Sequence, residues 1–299
     1  MHIPHLCPVV RGRNGGAVTT ELRSRLNRAL ASGHLPQLRH QPTGRYTIRE
    51  GVILSAYDIP GPIFNTAAVF DPAVHPQRAF AVAREFFGSE RGWSVLAEAD
   101  AGHPIEEWLQ SRGWSVIGET PAMALSPIPP APPLPWELTI RVVVDDRGLR
   151  DYLSPLGEPS GPAATTAPDA EPLIPPNVDE LLVRSLALAQ DPDVALLVGY
   201  VGGRVAGTSA LYRTNGVAEI GGVGVAPSFR RRGFGAALTS AALSEGAARG
   251  CDAGALHSTE MGYSVYRRMG FRPLAVHRRY ADRTYPPAPP LRGKGRRGR

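Results

Sequence analysis

The stretch that most limits what this chain can fold into is Val223-Gly-Val-Ala-Pro-Ser-Phe-Arg-Arg-Arg-Gly-Phe-Gly-Ala-Ala-Leu238. A strand-like run ends at Pro227, three arginines follow, then two glycines, then an alanine-rich helical run. The first N–H groups of a helix have no intrahelical acceptor and carry a partial positive charge, so they accept an anion. Glycines there let the backbone approach a diphosphate closely. Two better-known phosphate loops are excluded. A Walker loop needs Gly-Lys-Ser/Thr, and the only lysine is Lys294. A Rossmann loop needs a third glycine, and Leu238 stands in its place.

What remains is Arg230-x-x-Gly233-x-Gly235. Downstream, the helical run stops at Gly250, a C-cap residue. A short apolar strand follows at Ala253–His257, then Ser264-Val-Tyr-Arg-Arg-Met-Gly-Phe271. The first pattern resembles the acyl-CoA loop of the GNAT superfamily of N-acyltransferases. The second resembles that family's other signature, a helix carrying Tyr shortly before a Gly-Phe pair. The two stand in the family's order over residues 136–285.

The resemblance implies a set of roles. Acyl-CoA would lie where the strand Val217–Val225 parts from the strand Ala253–His257. Backbone groups of Val223 and Val225 would bind the pantetheine arm, and one N–H would serve as an oxyanion donor. The diphosphate would meet Arg230, Arg231, Arg232, Gly233, Phe234, Gly235 and Ala236. Tyr266 matches the family's general acid, which protonates the departing CoA thiolate. Glu219 matches a glutamate used as general base in one branch, and strand alternation puts it on one face with Val223 and Val225. Many members carry Asn after the short strand. This chain has Ser258-Thr259; Ser258 or Thr259 could make an equivalent bond to the cofactor, or either residue could cap the next helix. His257, alone at that strand end, reads as structural.

The implied activity is transfer of an acyl group, acetyl from acetyl-CoA, to an amine on a small molecule or peptide by direct attack in a ternary complex. A non-catalytic acyl-CoA-binding module is the alternative. Two distant cysteines form no disulfide framework or metal cluster, so no metal is expected and a reducing cytoplasm fits. No apolar run is long enough for a membrane span, and no signal peptide is read at the N-terminus. The net charge of +6 comes mostly from the tail 286–299. That tail reads as a disordered end, and nucleic acid is not expected as a partner. The sequence names neither the acceptor nor the oligomeric state.

Six prolines in residues 127–135 make a semi-rigid linker near the middle of the chain. Around it the α/β (α+β) reading is of two GNAT-like domains, each a mixed, mostly antiparallel sheet flanked by helices. Residues 46–126 form a degenerate domain and 136–285 the catalytic one. Residues 1–45 read as partly disordered around a short helix at 20–31. The halves echo each other: Glu107-Trp-Leu-Gln-Ser-Arg-Gly-Trp114 superposes on Ser264–Phe271, with Leu109 in place of Tyr266. A proline-rich loop at 157–176 reads as a lid over the acceptor mouth. A helix is expected over 177–190.

Overall fold

The computed structural model describes residues 19–32, 35–57, 61–71, 73–88, 92–99, 104–154 and 186–282. The lid expected at 157–176, most of the helix at 177–190 and the tail 286–299 lie outside the described residues.

Among the described residues eleven strands form one sheet. In the first half the elements are α1 (Thr20–Ser32), α2 (Leu35–Arg39), β1 (Arg45–Arg49), β2 (Val52–Ala56), β3 (Asn65–Val69), α3 (Pro76–Phe87), β4 (Ser94–Glu98), α4 (Ile105–Gln110) and β5 (Trp114–Leu125). The second half has β6 (Thr139–Val142), α5 (Asp146–Tyr152), α6 (Leu186–Ala189), β7 (Val194–Val201), β8 (Arg204–Thr214) and β9 (Val217–Val225). It continues with a 3-10 turn at Pro227–Phe229, α7 (Phe234–Ala248), β10 (Ala253–His257), α8 (Glu260–Arg268) and β11 (Arg272–Asp282). The hairpin turns at Gly202-Gly203 and Asn215-Gly216 have positive φ at both residues, as two-residue hairpin loops require.

The strand order is β1-β2-β3-β4-β11-β5-β10-β9-β8-β7-β6. Only β3–β4 and β9–β10 pair in parallel. The order is therefore quasi-symmetric about the β11–β5 seam, and the last strand of each half lies in the other half's side of the sheet. β11 pairs with β4, and β5 pairs with β10. Full pairing of both strands leaves no raw edge at the seam. Matching left-handed glycines, Gly113 (φ 81°) and Gly270 (φ 96°), end α4 and α8 just before these strands.

Two sequence expectations need correction. The twelve-residue β5 was not anticipated, because Gly118 and Pro121 interrupt its pattern. Pro121 is tolerated because its missing N–H falls where the β10 ladder stops, while its carbonyl still accepts from Ser258 N at 2.8 Å. Residues 20–32, expected as a short helix in a loosely ordered segment, form a docked helix. Leu26 (0 % exposed) and Leu30 (2 %) pack on Val217, Ala253 and Ala255 of the second half. Each such burial contributes roughly 1.5–3 kcal/mol.

Candidate active site

β9 and β10 pair only at Val217↔Ala253, Ala218↔Gly254 and Glu219↔Ala255. Beyond that, β9 runs on beside β8 alone and β10 beside β5 alone. The two strands open into a wedge whose inner edges carry backbone groups without a ladder partner across the gap. On β9 the wall of the wedge is bulged: three steps from Gly221 to Gly224 oppose two from Ala210 to Thr208. Gly222 takes φ +57°, and a Cβ there would sit 2.6 Å from the Tyr152 hydroxyl, so only glycine fits.

The bulge reverses the side-chain phase. Before it, Ala218 lies against Gly246 of α7, and Ile220 joins the core shared by α7 and α8. After it, Val223 joins that same core and Val225 packs on Phe229, Phe234 and Ala237. Glu219 lies on the other face, with Val217, which packs under α1. The expectation that Glu219 shares a face with Val223 and Val225 is therefore wrong, because simple alternation fails across an extra residue. The Gly221-Gly222 pair was the signal for it.

At the mouth of the wedge the 3-10 turn leads into α7. Gly233 caps the helix with φ +82°, and a Cβ there would meet nothing within 4 Å, so glycine is demanded by conformation over open space. Ala237 N takes the Gly233 carbonyl at 3.0 Å, which leaves the N–H groups of Phe234, Gly235 and Ala236 outside the helix's own ladder. Gly235 sits against Val225, so the helix start and the wedge are contiguous. The three arginines separate by task. Arg230 donates to the Val225 carbonyl at 3.1 Å. Arg232 pairs with Glu137 and lies 5.2 Å over the Phe234 ring. Arg231 is exposed, at φ +64°.

Tyr266 projects from α8 into the core between the two helices. Its ring packs edge-on to Phe271 at 5.8 Å and its phenol bonds Thr239 of α7, one turn beyond Gly235. Burial pushes the phenol up to about 12, with the Thr239 bond acting the other way. Gly262 makes room for the ring, since a Cβ there would lie 2.8 Å from it. Thr259 caps α8 by accepting from Gly262 N at 3.1 Å. The Ser258 hydroxyl donates to the Thr259 carbonyl at 2.8 Å and is buried.

On the opposite face, Glu219 is 2 % exposed and burial raises its carboxyl well above the usual range. Tyr212 is its partner across β8–β9. The Tyr212 hydroxyl accepts from Gln37 Nε2 at 2.6 Å, and Tyr57 donates to Gln37 Oε1 at 3.2 Å. Gln37 and Tyr57 come from the first half and escaped sequence reasoning, because no local pattern ties them to β9. His257 is likewise not alone: its Nε2 lies 2.9 Å from His277 Nδ1.

A cavity of about 450 Å³ lies between α5 and β7, on the face bearing Glu219, with Arg141, Arg147, Asp151 and Tyr200 in its wall. Among the described residues no group of three or more His, Cys, Asp or Glu could hold a metal, and no helix is long and apolar enough to cross a membrane.

Residues 165–271 match the model of the Acetyltransferase (GNAT) family. No curated protein matches the chain in sequence. Among solved structures, a GCN5-related N-acetyltransferase from Kribbella flavida superposes with a TM-score of 0.61 at 23% identity, covering 86% of this chain and 95% of that one. A tandem GNAT protein from the clavulanic acid biosynthesis pathway gives 0.52 at 15% identity, covering 87% and 94%. A functionally unknown conserved protein from Staphylococcus epidermidis gives 0.52 at 14% identity, covering 80% and 94%. Residues 165–271 thus match a GNAT-family domain, and the likeness of fold extends over both halves.

Proposed function

We propose that this chain is an acyl-CoA-dependent N-acyltransferase that moves an acetyl group from acetyl-CoA to an amine. The observation that carries the reading is the wedge between β9 and β10, which opens beside a glycine-started helix with a buried tyrosine at its foot. The residues fit acetyl-CoA: Gly233 borders open space at a helix start whose first N–H groups could meet a diphosphate, and β9 beyond Glu219 has no ladder partner toward β10, where Val223 could meet an amide-rich arm.

In this reading the thioester carbonyl lies in the wedge, where an N–H of β9 stabilises the oxyanion formed as the amine attacks. Tyr266 keeps its proton at neutral pH, being pushed up to about 12, and gives it to the thiolate as the C–S bond breaks. α7 and α8 fill one face of the sheet, so the amine enters from the other, beyond the part of it that α1 covers. Burial raises the Glu219 carboxyl well above its ordinary range and disfavours the carboxylate, so a base role for it needs linkage through water. Ser258, buried, spends its hydroxyl proton on the Thr259 carbonyl and is left with acceptor capacity alone. The acceptor is a small molecule or a peptide, the compartment the cytoplasm. The first half acts as a structural partner rather than a second active site.

The test is thiol release from acetyl-CoA across a panel of amines. Tyr266→Phe should lower turnover about 100-fold while acetyl-CoA affinity stays within about twofold. Failure of the intact protein to bind acetyl-CoA by calorimetry sinks the assignment. Binding with no turnover on any amine favours a sensor.

A further inference from the structure

The cavity of about 450 Å³ beside α5 has no part in the transfer chemistry. It lies at the β6 end of the sheet, against β6 and β7, and β8 intervenes between it and the wedge of β9 and β10. Its apolar wall is Val143 (2 % exposed) and Val198 (1 %), both part of the core beneath α5. One lip is the Gly202-Gly203 turn, bare of side chains. Small-molecule sites of this size combine such apolar walls with a few placed polar groups.

The polar groups of the cavity are arranged by sign. The Tyr200 hydroxyl donates to Asp151 Oδ2 at 2.8 Å. Burial, then the bond to Asp151 and its charge, push the phenol up to about 12 against Arg141 and Arg147, so it keeps its proton and goes on donating. One carboxylate oxygen of Asp151 is thereby fixed. Among the described residues no group donates to the other, Oδ1, although Asp151 is half-buried and lines the cavity. On the ring of the same tyrosine lies Arg141, its Cζ 5.6 Å from the centroid. Alternation along β6 sets Arg141 on the face of Val143, toward α5. Arg147 joins the wall from α5 itself. Among the described residues neither arginine forms an ion pair. Asp145, the remaining acid of the wall, is engaged in capping α5, accepting from Gly148 N at 2.7 Å. Two uncommitted cations and one uncommitted carboxylate oxygen thus share a cavity without meeting each other.

We propose that this cavity binds a small zwitterion, a free α-amino acid, whose carboxylate accepts from Arg141 and Arg147 and whose ammonium donates to Asp151 Oδ1. A guanidinium presents a planar pair of donors that matches a carboxylate. A carboxylate oxygen only accepts, so what Asp151 lacks is a donor, and an ammonium supplies it together with the opposite charge. A plain anion would satisfy the arginines and leave Asp151 facing like charge. A plain amine would do the reverse. An α-amino acid carries its two charges on neighbouring carbons, and a single phenol, that of Tyr200, separates the protein groups that meet them. Val143 and Val198 in the wall, with Val144 (70 % exposed) at the rim, leave an apolar surface for the ligand's side chain, which favours an aliphatic one. The site goes beyond the acyltransferase reading and does not depend on it, since no acyl-CoA takes part.

Binding to the full chain at neutral pH tests this. ¹H–¹⁵N spectra of the labelled protein are followed during titration with L-leucine, and with propionate and ethylamine as controls that carry one charge each. L-Leucine should move the amides of Gly148, Gly202 and Gly203 along one saturable curve, and each control should bind at least about tenfold more weakly. Arg141→Gln and Asp151→Asn should each weaken L-leucine about tenfold or more, with the amides remote from the cavity unmoved as the sign that the fold is intact. Absence of saturation with L-leucine, or propionate binding as tightly as L-leucine, overturns the proposal. So does L-leucine binding that both substitutions leave unchanged. Shifts gathered at Gly222 and Gly233, with Gly202 and Gly203 still, would place the amino acid in the wedge as an acceptor and would overturn it as well. Failure of the protein to bind acetyl-CoA, by contrast, removes the acyltransferase reading and leaves this site standing.

Discussion

The two parallel strand pairs of the sheet, β3–β4 and β9–β10, sit at matching places and differ in one respect. β9 and β10 separate after three residue pairs, whereas β3 and β4 stay paired from Thr66↔Ser94 to Val69↔Ala97, close to the end of both strands. The helix after β9 starts with a left-handed glycine over open space. The helix after β3 starts with Pro76, which has no N–H to offer, behind His75, which makes no side-chain cap. Where the second half places Tyr266, the first places Leu109, fully buried, under a cluster of Phe80, Phe87, Trp93 and Trp114. The same layout thus serves as an open slot on one side and as solid packing on the other. The change needs a bulge, two glycines and one hydroxyl rather than a different topology.

That contrast can be broken in order of expected effect. Leu26→Ala strikes the link between the halves, since α1 belongs to the first by sequence and to the second by packing. It should cost about 2–5 kcal/mol in urea unfolding. A loss below about 1 kcal/mol means α1 is not docked in solution. Gly235→Asp sets a carboxylate among the helix-start N–H groups and should weaken acetyl-CoA binding on the order of 100-fold by calorimetry. Gln77→Asp, the matching position at the start of α3 and exposed, should leave that affinity unchanged. Equal effects would show that both helix starts bind the cofactor.

The smallest effect concerns Glu219, whose carboxyl is raised by burial. The folded chain then holds a proton that the unfolded chain releases above its ordinary carboxyl range. Stability contributed by this group is full at low pH and falls as pH rises toward the folded value. Glu219→Gln should therefore gain thermal stability relative to the unaltered chain at pH 8 and much less at pH 4.5. A gain confined to pH 4.5 would mean that the carboxylate is charged and stabilised in the fold.

Several elements of the second half could be read directly, because glycine turns and apolar runs bound them tightly: β9 and β10 fall at the expected residues. The phosphate-type helix start was legible for the same reason, as Gly233 is required by φ rather than by packing. What escaped was long-range. β5 carries Gly118 and Pro121 within a strand whose pairing is supplied by β10 and β11, from 129 to 168 residues away. His257 looked solitary because its partner, His277, approaches across β5. The phase of Glu219 turned on one extra residue in a strand, which alternation alone does not reveal.

The exchanged positions of β5 and β11 bear on how the molecule could be taken apart. A protease that nicked the proline-rich stretch at 127–135 would sever the polypeptide but not the object, because each fragment would still supply a strand to the other's ladder. Producing either fragment by itself would leave a gap that only its counterpart fills, so the two should be recovered as a pair or not at all.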